Sequence, residues 1–220
     1  VDKRFWAIIG IIVLVFGGMV FASSQKKATV ATGTTSHYAG NLKSTVTLTE
    51  YGDYQCPACS KFYPVAKEVK AKYADKVRFQ FRNLPLTSLH PNAFAGARAA
   101  EAADLQGKFW EMHDLLYENQ DPYGRTGWAA DKDPLTNYFV KYATQLKLNT
   151  TQFKKDFAST AVNNRINADL DAFKATGEQM STPSYFINGK LVSSSKLVDG
   201  NGAPSLDSFS KVLEDALAGK

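Results

Sequence analysis

From Thr45 to Tyr51 apolar and polar side chains alternate, with Val46, Leu48 and Glu50 on one side and Thr45, Thr47, Thr49 and Tyr51 on the other, the period of a strand. The period then lengthens. Pro57 suits a first helical turn, where its missing N–H costs nothing, and Cys59, Phe62, Ala66, Val69 and Tyr73 follow at helical spacing. Pro64 lies inside that helix and predicts a kink. Val77, Phe79 and Phe81 alternate with Arg78, Gln80 and Arg82, which predicts a half-buried strand.

The stretch from Pro85 to Gln179 reads as helices. His90-Pro91 opens an alanine-rich one ending near Gly107, and Lys108 to Gln120 supplies Phe109, Met112, Leu115 and Leu116. Asp133-Pro134 begins another with Leu135, Phe139, Tyr142 and Leu146. Asn149 caps a short one with Phe153 and Phe157, and Ile166, Leu170 and Phe173 mark a longer one ending at Gly177. Asp121 to Asp133, rich in Gly, Asp and Pro, reads as a surface loop. Two short strands then flank Asn188-Gly189, a strong hairpin signal, with Pro183 at the start of the first, and Pro204-Ser205 precedes an amphipathic helix with Leu206, Phe209, Leu213 and Leu217. The order is strand, helix, strand, helical insertion over about 85–179, strand, strand, helix.

The amino-terminal pattern differs. Phe5 to Ala22 carries no charge over 18 residues, ~27 Å as a helix, enough to cross a hydrocarbon core. Residues 1–22 are expected to be a short stub and a transmembrane anchor. Cleavage near Ala22 is the other reading, but 18 residues exceed the ~7–15 of a signal-peptide core. No cysteine lies near the end of the apolar run, which excludes a lipoprotein. Lys3 and Arg4 precede the run and Lys26 and Lys27 follow it, so flanking charge alone does not set orientation. Residues 23–42 are polar and small, as expected of a flexible tether, and residues 43–220 suffice for one domain. The net charge of +5 is spread without clusters and carries no nucleic-acid signature.

The chemistry lies in the only two cysteines, Cys56 and Cys59, placed where strand turns into helix. A disulfide across two residues closes too small a loop to restrain the unfolded chain much, so its value is chemical. A cysteine at a helix start faces unpaired N–H groups that favour thiolate, which makes Cys56 the expected nucleophile and Cys59 the resolving thiol. Zinc is the competing reading, but a structural site wants four ligands, and His37, His90 and His113 lie at scattered positions. His90 and His113 read as structural. Glu50, on the apolar side of its strand, is expected to be desolvated, with a raised pKa suited to exchanging a proton with Cys59; a glutamate bent to solvent is the alternative.

Glu50-Tyr51-Gly52-Asp53-Tyr54-Gln55-Cys56-Pro57-Ala58-Cys59, the Thr182-Pro183 strand start and the Asn188-Gly189 hairpin together resemble the DsbA-like thiol-disulfide oxidoreductases of the thioredoxin superfamily. The likeness is closest to their membrane-tethered branch in Gram-positive and related bacteria. It spans roughly Ser44 to Leu217. It implies a thioredoxin-like α/β fold with an inserted α-helical subdomain, and a cis Thr182-Pro183 bond packed against the cysteines, whose backbone aligns substrate. It also implies a buried-acid role for Glu50. The expected activity is a dithiol oxidase outside the cytoplasm, since disulfide donors belong in an oxidising space. It would act on reduced exported proteins and be reoxidised by a DsbB-like or VKOR-like membrane partner. No bound cofactor is needed, because the Cys56–Cys59 pair holds the two electrons. An extracytoplasmic reductase or isomerase and a non-enzymatic tethered binding or zinc module are the alternatives. One departure weakens the oxidase reading: Pro57-Ala58 lacks the imidazole that the strongly oxidising enterobacterial enzyme carries between its cysteines, which implies a less oxidising couple.

Overall fold

The computed structural model describes residues 33–121 and 126–219. A five-stranded sheet has the order β1-β3-β2-β4-β5, with β1 His37–Gly40, β2 Thr47–Gly52, β3 Arg78–Asn83, β4 Ser184–Ile187 and β5 Lys190–Val192. Strands β2 and β3 run parallel and are joined by helix α1, Pro57–Lys72; the other three pairings are antiparallel. A parallel pair needs such a crossover. Helix α1 runs through Pro64 without a break in its assigned span. Between β3 and β4 come α2 Ala93–Asp104, α3 Phe109–Glu118, α4 Gly127–Ala130, a π-helical turn Leu135–Phe139 leading into α5 Val140–Gln145, α6 Thr150–Phe157 and α7 Thr160–Lys174. Helix α8, Leu206–Leu217, closes the chain's fold, capped by Ser205. This is a mixed α/β thioredoxin-like arrangement with the helices inserted where the sequence places them.

One apolar layer packs Val46, Leu48, Phe79 and Tyr185 of the sheet against Val69 of α1 and Phe209 and Leu213 of α8. A second joins the two cysteines, Tyr63 and Phe81 to the insertion through Met112, Leu116, Trp128 and Phe139. The thiols therefore sit on the seam between sheet and insertion. Asn188 and Gly189 both have positive φ, 49° and 80°, as the tight hairpin between β4 and β5 requires.

The expected boundaries change at three places. The tether expected over 23–42 is contradicted from Thr35 onward. β1 pairs with β3, and Thr35 donates from its amide and hydroxyl to Asp169 at 2.9 and 2.7 Å. His37 stacks on Phe109 with ring centroids 3.4 Å apart. Composition suggested a tether because this segment is held by buried polar bonds rather than apolar side chains. The same contacts bury Gln80, expected at the solvent side: its amide donates to the Thr35 carbonyl at 3.3 Å and its carbonyl oxygen accepts from Thr49 at 3.1 Å. The loop expected over 121–133 contains α4, whose Trp128 is fully buried and donates to the Leu116 carbonyl at 3.1 Å. The helix expected from His90-Pro91 begins at Ala93, because Asn92 is committed to bonds with neighbouring loops. The expected anchor, residues 5–22, and its choice between membrane span and cleaved leader lie outside the described residues. Among those described, no helix is long and apolar enough to cross a membrane.

Behind β1 and β3 a charged network is buried. His37 Nε2 lies 2.6 Å from Glu101, which also pairs with Arg165 at 2.9 Å and accepts from Asn83 at 2.7 Å; Arg165 bonds Asp104 as well. Burial works against the His37 charge, but its bonds to Asp104 and Glu101 raise its pKa. Asp169 accepts from the Asn83 amide at 2.9 Å in addition to Thr35. Asp169→Ala should strand these three buried donors and cost at least about 3 kcal/mol, at ~1–3 per unsatisfied group. Urea denaturation checks this, and a change below about 0.5 kcal/mol would show that the network does not anchor the amino-terminal strand.

Candidate active site

Cys56 occupies the N-cap position of α1, with Pro57 in the first turn. Its amide donates to the Asp53 carbonyl at 3.1 Å, which turns the chain from β2 into the helix. Both thiols are unpaired and buried, Cys59 completely and Cys56 to 6 % exposure. That asymmetry decides their order of reaction, since only Cys56 reaches the surface. The Thr182–Pro183 bond is cis, and the Cys56 thiol donates to the Thr182 carbonyl at 3.4 Å. The hairpin strand that starts at Ser184 thus delivers Thr182 and Pro183 to the cysteine across 126 residues of sequence.

The electrostatics separate the two sulfurs. The Cys56 pKa is lowered from 9.0 to about 6, chiefly because the Cys59 thiol donates to it. Burial opposes this, while the Thr182 side chain and the amides of Cys59 and Ala58 add to it. The amides are the helix-start donors expected to favour thiolate. Burial, followed by the Cys56 bond and charge and by the Glu50 charge, holds Cys59 well above the usual thiol range.

Glu50 sits mid-strand, opposite Phe81 on one side and Tyr185 on the other. Burial raises its pKa to about 7, against the Tyr185 hydroxyl and the Lys70 charge, which favour the ionised form. It lines a cavity of about 40 Å³ together with Tyr63, Lys70, Trp110, His113 and Tyr185. Such a space holds a water when polar groups surround it. Lys70 lies 3.9 Å from the centroid of the Trp110 ring. Burial lowers the Lys70 pKa, and it lowers that of His113 to about 4, so His113 is neutral at pH 7.

Cys56, Cys59, Thr182 and Pro183 come together, and Glu50, only partly exposed on the neighbouring strand, acts on the pair through its charge on Cys59. The scaffold ahead of the thiols is absent from the expectations above. Asp53, 1 % exposed, accepts from the amides of Gln55 and Leu86 at 2.8 and 2.9 Å and from His90 Nδ1 at 2.7 Å. Gln55 accepts from the Asn92 amide at 2.6 Å and donates to the Ala129 carbonyl at 2.7 Å. The available signal was Asp53 two residues before Gln55, a pattern for a carboxylate-closed turn. Gly52 precedes it because any Cβ there would meet the Phe81 ring at 2.5 Å.

Comparison with known proteins agrees with this architecture. Over 154 residues the chain is 38 % identical to Na(+)/H(+) antiporter NhaA 3 of Salinispora tropica, matching 70 % of this chain but spanning only 22 % of that relative. Among solved structures, BdbD of Bacillus subtilis superposes with a TM-score of 0.66 at 22 % identity, covering 82 % of this chain and 92 % of that one. Oxidoreductase DsbA of Xylella fastidiosa superposes with 0.58 at 19 %, covering 81 % and 88 %. At such identities these neighbours, DsbA-type oxidoreductases, speak for the fold. The thioredoxin family model matches residues 32–215, from just before the buried Thr35 to within the last helix, and on that extent the chain belongs to the thioredoxin family.

Proposed function

We propose that this protein is an extracytoplasmic thiol-disulfide oxidoreductase that introduces disulfides into exported proteins, held at the membrane by residues 5–22. The observation that carries the reading is the asymmetric pair: a surface-reaching Cys56 with its pKa at about 6 beside a cis Thr182–Pro183, and a fully buried Cys59 held as a thiol. With the pair oxidised, a substrate thiolate attacks the Cys56 sulfur, the Cys56–Cys59 bond breaks, and the Cys59 sulfur takes a proton, with Glu50, the carboxyl whose charge acts on that sulfur, as the donor. A second substrate thiolate then attacks the substrate sulfur of the mixed disulfide and Cys56 departs as thiolate. The substrate loses two electrons and the cysteine pair gains them. A DsbB-like or VKOR-like membrane protein would remove those electrons, and no bound cofactor takes part. Antiport is no part of this reading, because the match spans only 22 % of that antiporter.

The low Cys56 pKa supports the oxidase direction. At pH 7 a thiol of pKa about 6 is ~90 % thiolate against ~3 % for an ordinary one of ~8.5. Its lower basicity removes most of that gain as an attacking group, given a Brønsted slope of ~0.4–0.5, whereas a low pKa always helps a leaving sulfur. Cys56 leaves in the step that releases an oxidised product. The test is equilibration with glutathione and oxidation of a reduced, unfolded substrate protein. A couple well above thioredoxin's ~ −270 mV, with disulfides formed in the substrate, is expected; a value near that of thioredoxin would overturn oxidase in favour of reductase or isomerase.

A further inference from the structure

Pro57-Ala58 brings no imidazole to the Cys56 thiolate, but the fold brings one to the loop ahead of it. His90 lies in the turn between β3 and α2, and its Nδ1–H donates to Asp53 Oδ2 at 2.7 Å. Asp53 builds the loop that delivers the thiol: Oδ1 accepts from the Gln55 amide, Oδ2 also from the Leu86 amide, and the carbonyl from the Cys56 amide. Two residues beyond His90, Asn92 holds Gln55 by its own amide. The His90 turn therefore clamps the thiol loop at both Asp53 and Gln55.

We propose that His90 is a positioning residue for the reactive thiol, which through Asp53 holds the loop ahead of Cys56 and, as an imidazolium, stabilises the thiolate in place of a histidine between the cysteines. The proposal rests on the exchange reading of Cys56 and Cys59 and adds to it the group that tunes the couple. The charged groups acting on His90 are Asp53 and Cys56. Its bond to Asp53 raises its pKa, burial of the ring opposes this, and the charges of Asp53 and then Cys56 add to the rise. The side chain is 17 % exposed, so solvent screens the pair only in part.

Coupling between the two groups is reciprocal. If the imidazolium favours the thiolate, the thiolate favours the imidazolium, and only the reduced protein has a thiolate. The intact protein can therefore be tested without a substitution. NMR titration of its histidines, in the oxidised and the reduced state, should show His90 binding its proton about two- to fivefold more tightly after reduction, in line with ~0.2–1 kcal/mol for a partly exposed pair.

Substitution then separates charge from position. His90→Asn places an amide N–H near the site of Nδ1–H, keeping a donor for Asp53 without the charge. The equilibrium constant for oxidising glutathione should fall about two- to fivefold at pH 6. The difference should fade as pH rises through the His90 titration, where the native imidazole is neutral as well. His90→Ala removes charge and donor together and should add a loss that persists at high pH. An unchanged His90 titration between redox states, or a His90→Asn protein equal to the native one at every pH, overturns the proposal. Failure of the exchange reading looks different: the native protein would then show no reversible couple with glutathione at all.

Discussion

A Cys56→Ser protein is expected to lose thiol-disulfide exchange to the limit of detection while remaining folded. The hydroxyl is close in size to the thiol, but it forms no disulfide and does not ionise near neutral pH. Cys59 does not replace it, being fully buried and held as a thiol by desolvation. The complementary Cys59→Ala protein cannot form the Cys56–Cys59 disulfide and should no longer oxidise substrates. Its Cys56 thiolate can still attack a disulfide of an exported protein, breaking that bond, releasing one substrate thiolate and leaving a mixed disulfide on Cys56, which should accumulate because no Cys59 thiol is there to displace it. In the reduced native protein, alkylation at Cys56 should follow a titration near pH 6, set first by the Cys59 thiol and then by Thr182 and the helix-start amides. Cys59 should resist alkylation until the protein unfolds. Equal labelling of both cysteines under native conditions, or substrate trapped on Cys59 in a Cys56→Ser protein, would reverse the assigned roles.

The parts of this molecule that were legible in advance are those in which side-chain period and backbone chemistry agree. Leu48 and Glu50 share one face of β2, Pro57 starts α1, Asn188-Gly189 turns the hairpin, and Asn149 caps α6 by accepting from the Gln152 amide at 2.9 Å. In each case a local rule suffices. The misread parts are held by contacts between distant polar residues. Thr35 belongs to the domain because Asp169, 134 residues away, accepts two of its bonds. Gln80 is buried because Thr35 covers it, and no alternation within β3 contains that information. Trp128 is a core residue on a helix of only four residues, flanked by loop-forming sequence. The bond of His90 to Asp53, 37 residues upstream, is likewise absent from any local pattern. The cysteine site was readable since its motif is contiguous. Its tuning was only partly so, because Thr182 comes to Cys56 from the hairpin, 126 residues away.

Glu50→Gln should make the protein more stable and less active at once. An exposed glutamate ionises at an ordinary value of 4.5, whereas burial raises Glu50 to about 7. Between those values the native state holds a proton that the unfolded chain has released, so stability falls as pH rises through that window and levels off above about 7. The full difference corresponds to about 3 kcal/mol at pH 8, at ~1.36 kcal/mol per unit. Glutamine never ionises, so the substituted protein should match the native one below about pH 4 and exceed its stability by roughly 2–3 kcal/mol at pH 8, read from urea midpoints at the two pH values. Activity moves the other way. The Cys59 sulfur must lose its proton to attack the mixed disulfide or to regenerate the Cys56–Cys59 bond, and its pKa is far above the ambient pH. Glu50 is the ionisable carboxyl acting on that sulfur, beside a cavity that can hold water to carry the proton onward. Steps that require Cys59 to ionise should slow by at least ~10²-fold, the lower end for loss of a proton-transfer group, while alkylation of Cys56 keeps its rate within a few-fold. A Glu50→Gln protein with native exchange rates at every step would remove Glu50 from the chemistry. The same protein without added stability at pH 8 would show that Lys70 and Tyr185 already compensate the buried charge.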